Sequence, residues 1–162
     1  MSRGVMVLDR PPEGARILAT KEHLNYFDVR GVPLPREMTA YEAWQDMLSR
    51  PLFGMKTAFW VRDRISALFG VQKIGGFSSQ YRHAPTKGDR LDFFVVEDID
   101  NERLILVQRD RHLDVMTAIT TSGGIMAVTS SVLTHNLFGK LYMLPVGIAH
   151  RHIVNSLLRR VA

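Results

Sequence analysis

The densest polar cluster in the sequence is Asp110-Arg111-His112-Leu113-Asp114, and its residue types suit acid–base chemistry. A carboxylate beside an imidazole tunes its basicity and orients it for proton transfer. The cluster falls where a turn should hand over to a strand. Strand alternation then puts Asp110, His112 and Asp114 on one face and Leu113, Val115 and Ile119 on the other. If the apolar face points into the core, His112 looks outward. Parity therefore favours a turn held by local salt bridges over a working His–Asp pair.

His135, His150 and His152 raise the question of a metal. Side chains at i and i+2 on a helix point in nearly opposite directions, so His150 and His152 cannot hold one ion together. No HExxH motif is present, and no metal site or cofactor is expected. His150 stands apart because it lies on the stripe of Val146, Val154 and Leu157. An imidazole on a buried face is either a cavity-lining contact or a boundary histidine satisfied by a backbone carbonyl. His152 falls with Arg159 on the polar face. The candidate acid–base groups are His150, Tyr142 and His112, and the candidate ligand-lining residues are Tyr142, His150, Val146, Trp60 and His135.

Other chemistries are excluded by what is missing. There is no cysteine, so thiolate catalysis, disulfides and cysteine-ligated metals are ruled out. No serine sits in a G-x-S-x-G elbow, and Gly75-Gly76 and Gly123-Gly124 fit neither a P-loop nor a dinucleotide fingerprint. Whether the chain is an enzyme is left open. Trp44, Phe53, Phe59, Trp60 and Phe69 recur at helical spacings typical of core. The net charge is +5 and the pI about 9.9. From Val115 to the end there is no Asp or Glu, while Lys140, Arg151, Arg159 and Arg160 remain. Such a stretch attracts anionic ligands or lipid headgroups, or is simply the solvated face of a helix. No RNP-like or helix-turn-helix pattern accompanies it, so nucleic acid is not an expected partner.

These residues must be positioned by an ordinary globular domain. The 162 residues are 46% hydrophobic and 23% charged, enough for one core. Residues 1–22, with Pro11-Pro12, read as an irregular arm before a single domain over 23–162. Leu24–Val32 reads as a first strand ending at Pro33-Leu34-Pro35. Thr39-Ala40-Tyr41-Glu42 has the capping-box pattern and opens a helix to Ser49. A second helix is expected over Leu52–Phe69, with Gly70 as its stop, followed by a loop over Gly75–Gly88. Alternation then predicts strands at Arg90–Asp98, Glu102–Gln108, His112–Thr121 and Ile125–His135. The short Asp-, Asn- and Gly-bearing links between them favour hairpins. Leu137–Val161 returns to helical period, with Pro145 inside or in the first turn of its main part.

No window approaches the roughly 20 apolar residues that cross a bilayer. Leu137–Ile148 is too short and is interrupted by Lys140 and Pro145, and Met1–Arg16 has no apolar signal core. A cytoplasmic location is expected. Oligomeric state is not set by the sequence, and a dimer is compatible with it.

Two stretches together resemble a known family. One is Asp110-Arg111-His112-Leu113-Asp114. The other runs His135-Asn136, Gly139-Lys140-Leu141-Tyr142, His150, Ile153-Val154 and Leu157-Leu158-Arg159-Arg160. They resemble a bacterial family of unknown function in the START-like, polyketide-cyclase-type superfamily. The resemblance covers roughly residues 20–162, with its specific motifs in the last third. It implies an α+β helix-grip fold: a curved antiparallel sheet around a long C-terminal helix, two shorter helices after the first strand, and a cavity for an apolar or aromatic small molecule. It supplies no catalytic residue. The resulting expectation is a small-molecule-binding domain. The alternatives are a cyclase- or hydratase-like enzyme using cavity-lining His and Tyr, and an interaction module whose basic surface meets anionic lipid or a partner.

Overall fold

A computed structural model of the chain describes residues 4–50, 52–68 and 83–162. The strands are β1 (Met6–Val7), β2 (Tyr26–Pro33), β3 (Arg90–Leu91), β4 (Phe94–Ile99), β5 (Arg103–Arg109), β6 (Leu113–Ser122) and β7 (Ile125–Thr134). The helices are α1 (Ala40–Leu48), α2 (Met55–Leu68) and α3 (Leu137–Leu158). The strands form one curved antiparallel sheet in the order β1-β2-β7-β6-β5-β4-β3.

Local chemistry explains most boundaries. Gly123 and Gly124 both have positive φ (61° and 75°), the requirement of the tight turn that joins β6 to β7. Asp100 and Asp110 each fold their side chain over a hairpin turn. Asp100 Oδ1 accepts from the amides of Glu102 and Arg103 at 2.8 and 2.9 Å, and Asp110 Oδ1 from those of His112 and Leu113 at 2.7 and 2.9 Å. The capping box is formed, with the Glu42 amide donating to Thr39 Oγ1 and the Thr39 amide to the Glu42 carboxylate. The single strand expected over Arg90–Asp98 is instead two, because Asp92 turns the chain at φ 57° and sets Leu91 opposite Phe94. Helix α2 starts later than expected, after Gly54 at φ 77°. Gly70 and most of the Gly75–Gly88 loop lie outside the described residues.

The front face of the sheet carries two helices, where sequence reasoning assigned it to α3. Trp44, Met47 and Leu48 of α1 pack with Val154, Leu157 and Leu158 of α3 on Phe94, Leu106, Ile119 and Met126. Trp44 meets Phe94 edge-on, with ring centres 6.2 Å apart. Helix α1 lies against β5 and β6, and α3 against β2 and β7. Each fully buried Leu or Val of this layer contributes about 1.5–3 kcal/mol.

The N-terminal arm covers the back face. Ala15 and Leu18 lie on Ile105, Val107, Met116 and Ala118, and the Leu18 amide donates to Ser131 Oγ at 3.2 Å. Met6–Val7 extends the sheet by pairing with Gly31 and Arg30. Strand β2 is thereby covered on both faces, which is why its alternation in sequence is loose.

Candidate functional site

On β2, alternate residues Tyr26, Asp28, Arg30 and Val32 face the helix layer. Pairing sets Asp28 opposite Ser130 of β7, and Ser130 opposite Thr117 of β6. The result is a polar row across the middle of the front face, with Asp28, Ser130 and Thr117 all buried. Helix α3 crosses over this row. Tyr26 Oη lies 3.2 Å from His150 Nδ1 and 3.3 Å from the Gly147 carbonyl. The rings of Tyr26 and His150 meet edge-on at 5.6 Å. Gly147 is what lets them do so, since a Cβ there would come within 3.0 Å of the Tyr26 ring.

Charge in the row is paired. Arg30 Nε donates to Asp28 at 2.7 Å, and its Nη1 donates to Asn155 Oδ1 at 2.7 Å. Arg151 Nε stands 3.9 Å from Asp28, and its guanidinium lies over the Tyr26 ring at 5.4 Å. Burial pushes the His150 pKa down to about 4; Asp28 opposes that shift while Arg30 and Arg151 add to it. Burial, with the charge of Asp28, raises the Tyr26 phenol to about 12. At neutral pH the site is therefore a neutral imidazole against a neutral phenol, beside a compensated Asp–Arg pair. Ser130 Oγ is buried with no hydrogen-bond partner.

His112 lies elsewhere and does not face outward. It is buried at the start of β6 with 8% exposure. The strand begins only at Leu113, so parity does not govern the residue before it. His112 Nδ1 lies 2.8 Å from the Asn136 amide nitrogen, and Arg111 Nε donates to Nε2 at 3.1 Å. Asn136 is also the N-cap of α3, accepting from the Gly139 amide at 2.9 Å. The Phe138 ring lies 4.7 Å from His112 and 6.0 Å from Tyr142. A Cβ on Gly139 would fall 2.4 Å from the His112 carbonyl oxygen. The two motif stretches thus meet as a joint that clamps the β5–β6 turn to the first turn of α3. That joint gives Asp110, His112, Asn136 and Gly139 each a structural contact.

Tyr142 accepts a hydrogen bond from Arg62 Nε of α2 at 2.6 Å, with the guanidinium over its ring. It is eight residues from His150 along α3, about 12 Å at 1.5 Å per residue. Tyr142 and His112 share the joint through Phe138, whereas His150 belongs to the polar row. His135 is exposed and pairs with Asp114 at 3.1 Å. Val146 is half-buried one turn before His150, and His152 is exposed. Trp60, expected in the core or lining a ligand, is 60% exposed, and Phe53 is fully exposed. Among the described residues no three His, Cys, Asp or Glu side chains gather as metal ligands. Two solvent-open hollows border α1, one around Arg36, Gln45 and Asp46 and one around Tyr41, His83 and Asn101; none of the candidate residues lines either.

Of the residues in and against this row, the sequence singled out His150 and not Tyr26, Asp28, Arg30 or Ser130. The available signal was a run of polar residues two apart, Asp28 and Arg30, inside an otherwise apolar strand.

Fold and site define an α+β domain with an antiparallel sheet, helices on one face and a buried polar row beneath the last helix. The chain matches the model of a protein family of unknown function, DUF2867, over residues 21–157 and belongs to that family. Neither the curated proteins nor the solved structures contain a match.

Proposed function

We propose that this is a small-molecule-binding domain of START-like, helix-grip type. Its ligand has an apolar or aromatic body with one hydrogen-bonding group, held between β2, β7 and α3 at Tyr26, Ser130 and His150. The observation that carries this reading is Ser130 Oγ, buried without a hydrogen-bond partner between Asp28 and Thr117 and under α3. A buried hydroxyl left unpaired costs about 1–3 kcal/mol, which a ligand donor or acceptor recovers. The neutral His150–Tyr26 pair beside it can give or take one hydrogen bond without bringing a charge to an apolar ligand. Half-exposed Arg151 marks the edge from which the row is reached. Neither hollow at α1 touches this row.

A thermal-shift screen with lipids and aromatic polyketides, run on the wild type and Ser130→Ala, tests the proposal. The free variant is expected to be as stable as the wild type or up to about 1 kcal/mol more so, because it loses an unsatisfied group. It should bind a hit about tenfold more weakly. A panel without hits, or a hit that binds Ser130→Ala as well as wild type, contradicts the reading.

A further inference from the structure

The outer face of α3 is unlike that of a solvated helix. Leu137, Leu141, Leu144 and Ile148 are 57 to 70% exposed and recur at spacings of four, three and four, so they form one stripe over the first half of the helix. The same face then continues as Arg151, His152 and Arg159, all exposed, with Lys140 at the stripe's edge. Helix α2, joined to α3 through Arg62 and Tyr142, adds exposed Trp60, with exposed Lys56 and Arg64 one turn to either side, and exposed Phe53 lies in the turn that precedes it. Arg64 lies over the Trp60 ring at 5.0 Å. The one carboxylate of α2, Asp63, is largely buried and paired with Arg62 at 2.9 Å, and α3 carries none.

We infer that these two helix faces dock on an anionic lipid surface, with the leucine stripe and Trp60 entering the headgroup boundary and the basic residues lying over anionic headgroups. This stands independently of the ligand site. Exposed aliphatic residues with Trp beside cations and no anions are the pattern that a membrane interface stabilises. The charge distribution decides against a parallel second copy of the chain: α3 faces apposed in the same sense would bring Arg151 and Arg159 against like charge. The stripe also spans under two heptads, short of what a coiled coil needs.

Co-sedimentation with phosphatidylcholine vesicles, with and without about one third phosphatidylserine, tests the inference. The full chain should sediment with the serine-containing vesicles only, and should be released as salt rises from about 0.05 to 0.5 M. Leu141→Glu and Leu144→Glu should each lower partitioning at least about tenfold by putting charge into the boundary. Arg64→Gln should lower it about fivefold. All three sites are exposed, so the urea midpoints should match the wild type. Equal binding to neutral vesicles or no binding overturns the inference. So does a stable dimer in light scattering that Leu141→Glu dissociates while vesicle binding persists.

Discussion

Acid should weaken this protein through one residue in a way that can be worked out beforehand. His150 is unprotonated in the folded state down to about pH 4, while the unfolded chain takes up that proton near the ordinary value of 6.5. Between those values the unfolded state binds more protons, so stability falls as pH falls. The full difference of about 2.5 pKa units corresponds to about 3 kcal/mol, of which about 2 kcal/mol is already lost at pH 5. Above pH 7 the contribution is constant, because neither state is protonated. His150→Gln keeps a polar partner for Tyr26 Oη but cannot titrate. The assay is urea unfolding at pH 7.5 and pH 5.0 for both proteins, followed by the tryptophan emission of buried Trp44. Wild type should lose about 2 kcal/mol more than His150→Gln over that interval. Equal losses, within about 0.5 kcal/mol, would refute the reasoning and place His150 in water.

Two further substitutions probe the packing that holds the site. Gly139→Ala improves intrinsic helix propensity by about 1 kcal/mol, yet it should destabilise by about 2–3 kcal/mol, because the new methyl meets the fixed His112 carbonyl; a urea midpoint at or above wild type would show that the joint is loose. Asp28→Ala leaves Arg30 buried beside one neutral partner and should cost about 3–5 kcal/mol at pH 7.5 in the same assay. An effect under 1 kcal/mol would mean that Arg30 reaches water.

What the sequence made legible was mostly local. The Thr39–Glu42 cap, the Gly123-Gly124 turn and the Asp100 and Asp110 links each depend on residues within four of one another. The inward aspect of His150 followed from its stripe with Val154 and Leu157. The polar row was hidden because Asp28 on β2 lies about ninety to a hundred residues before Thr117 on β6 and Ser130 on β7, and register alone sets the three abreast. The arm obscured β2 further, since covering the back face removes the polar alternation that would reveal its orientation. His112 was misassigned by extending strand parity one residue too far, into a turn whose geometry Asp110 dictates. Phe53 and Trp60 were read as core because spacing shows that residues share a helix face but not what that face meets.

The proposed ligand lies between the sheet and the last helix, on the row at Tyr26, Ser130 and His150. The most direct test of this placement is a nitrogen-15 NMR titration of the wild type with the strongest hit from the thermal screen. The amides of Tyr26, Asp28, Ser130 and His150 should shift together with one dissociation constant, while Arg36 and Gln45 at the α1 hollow stay still. Shifts gathered at the α1 hollow, with the row unmoved, would contradict it.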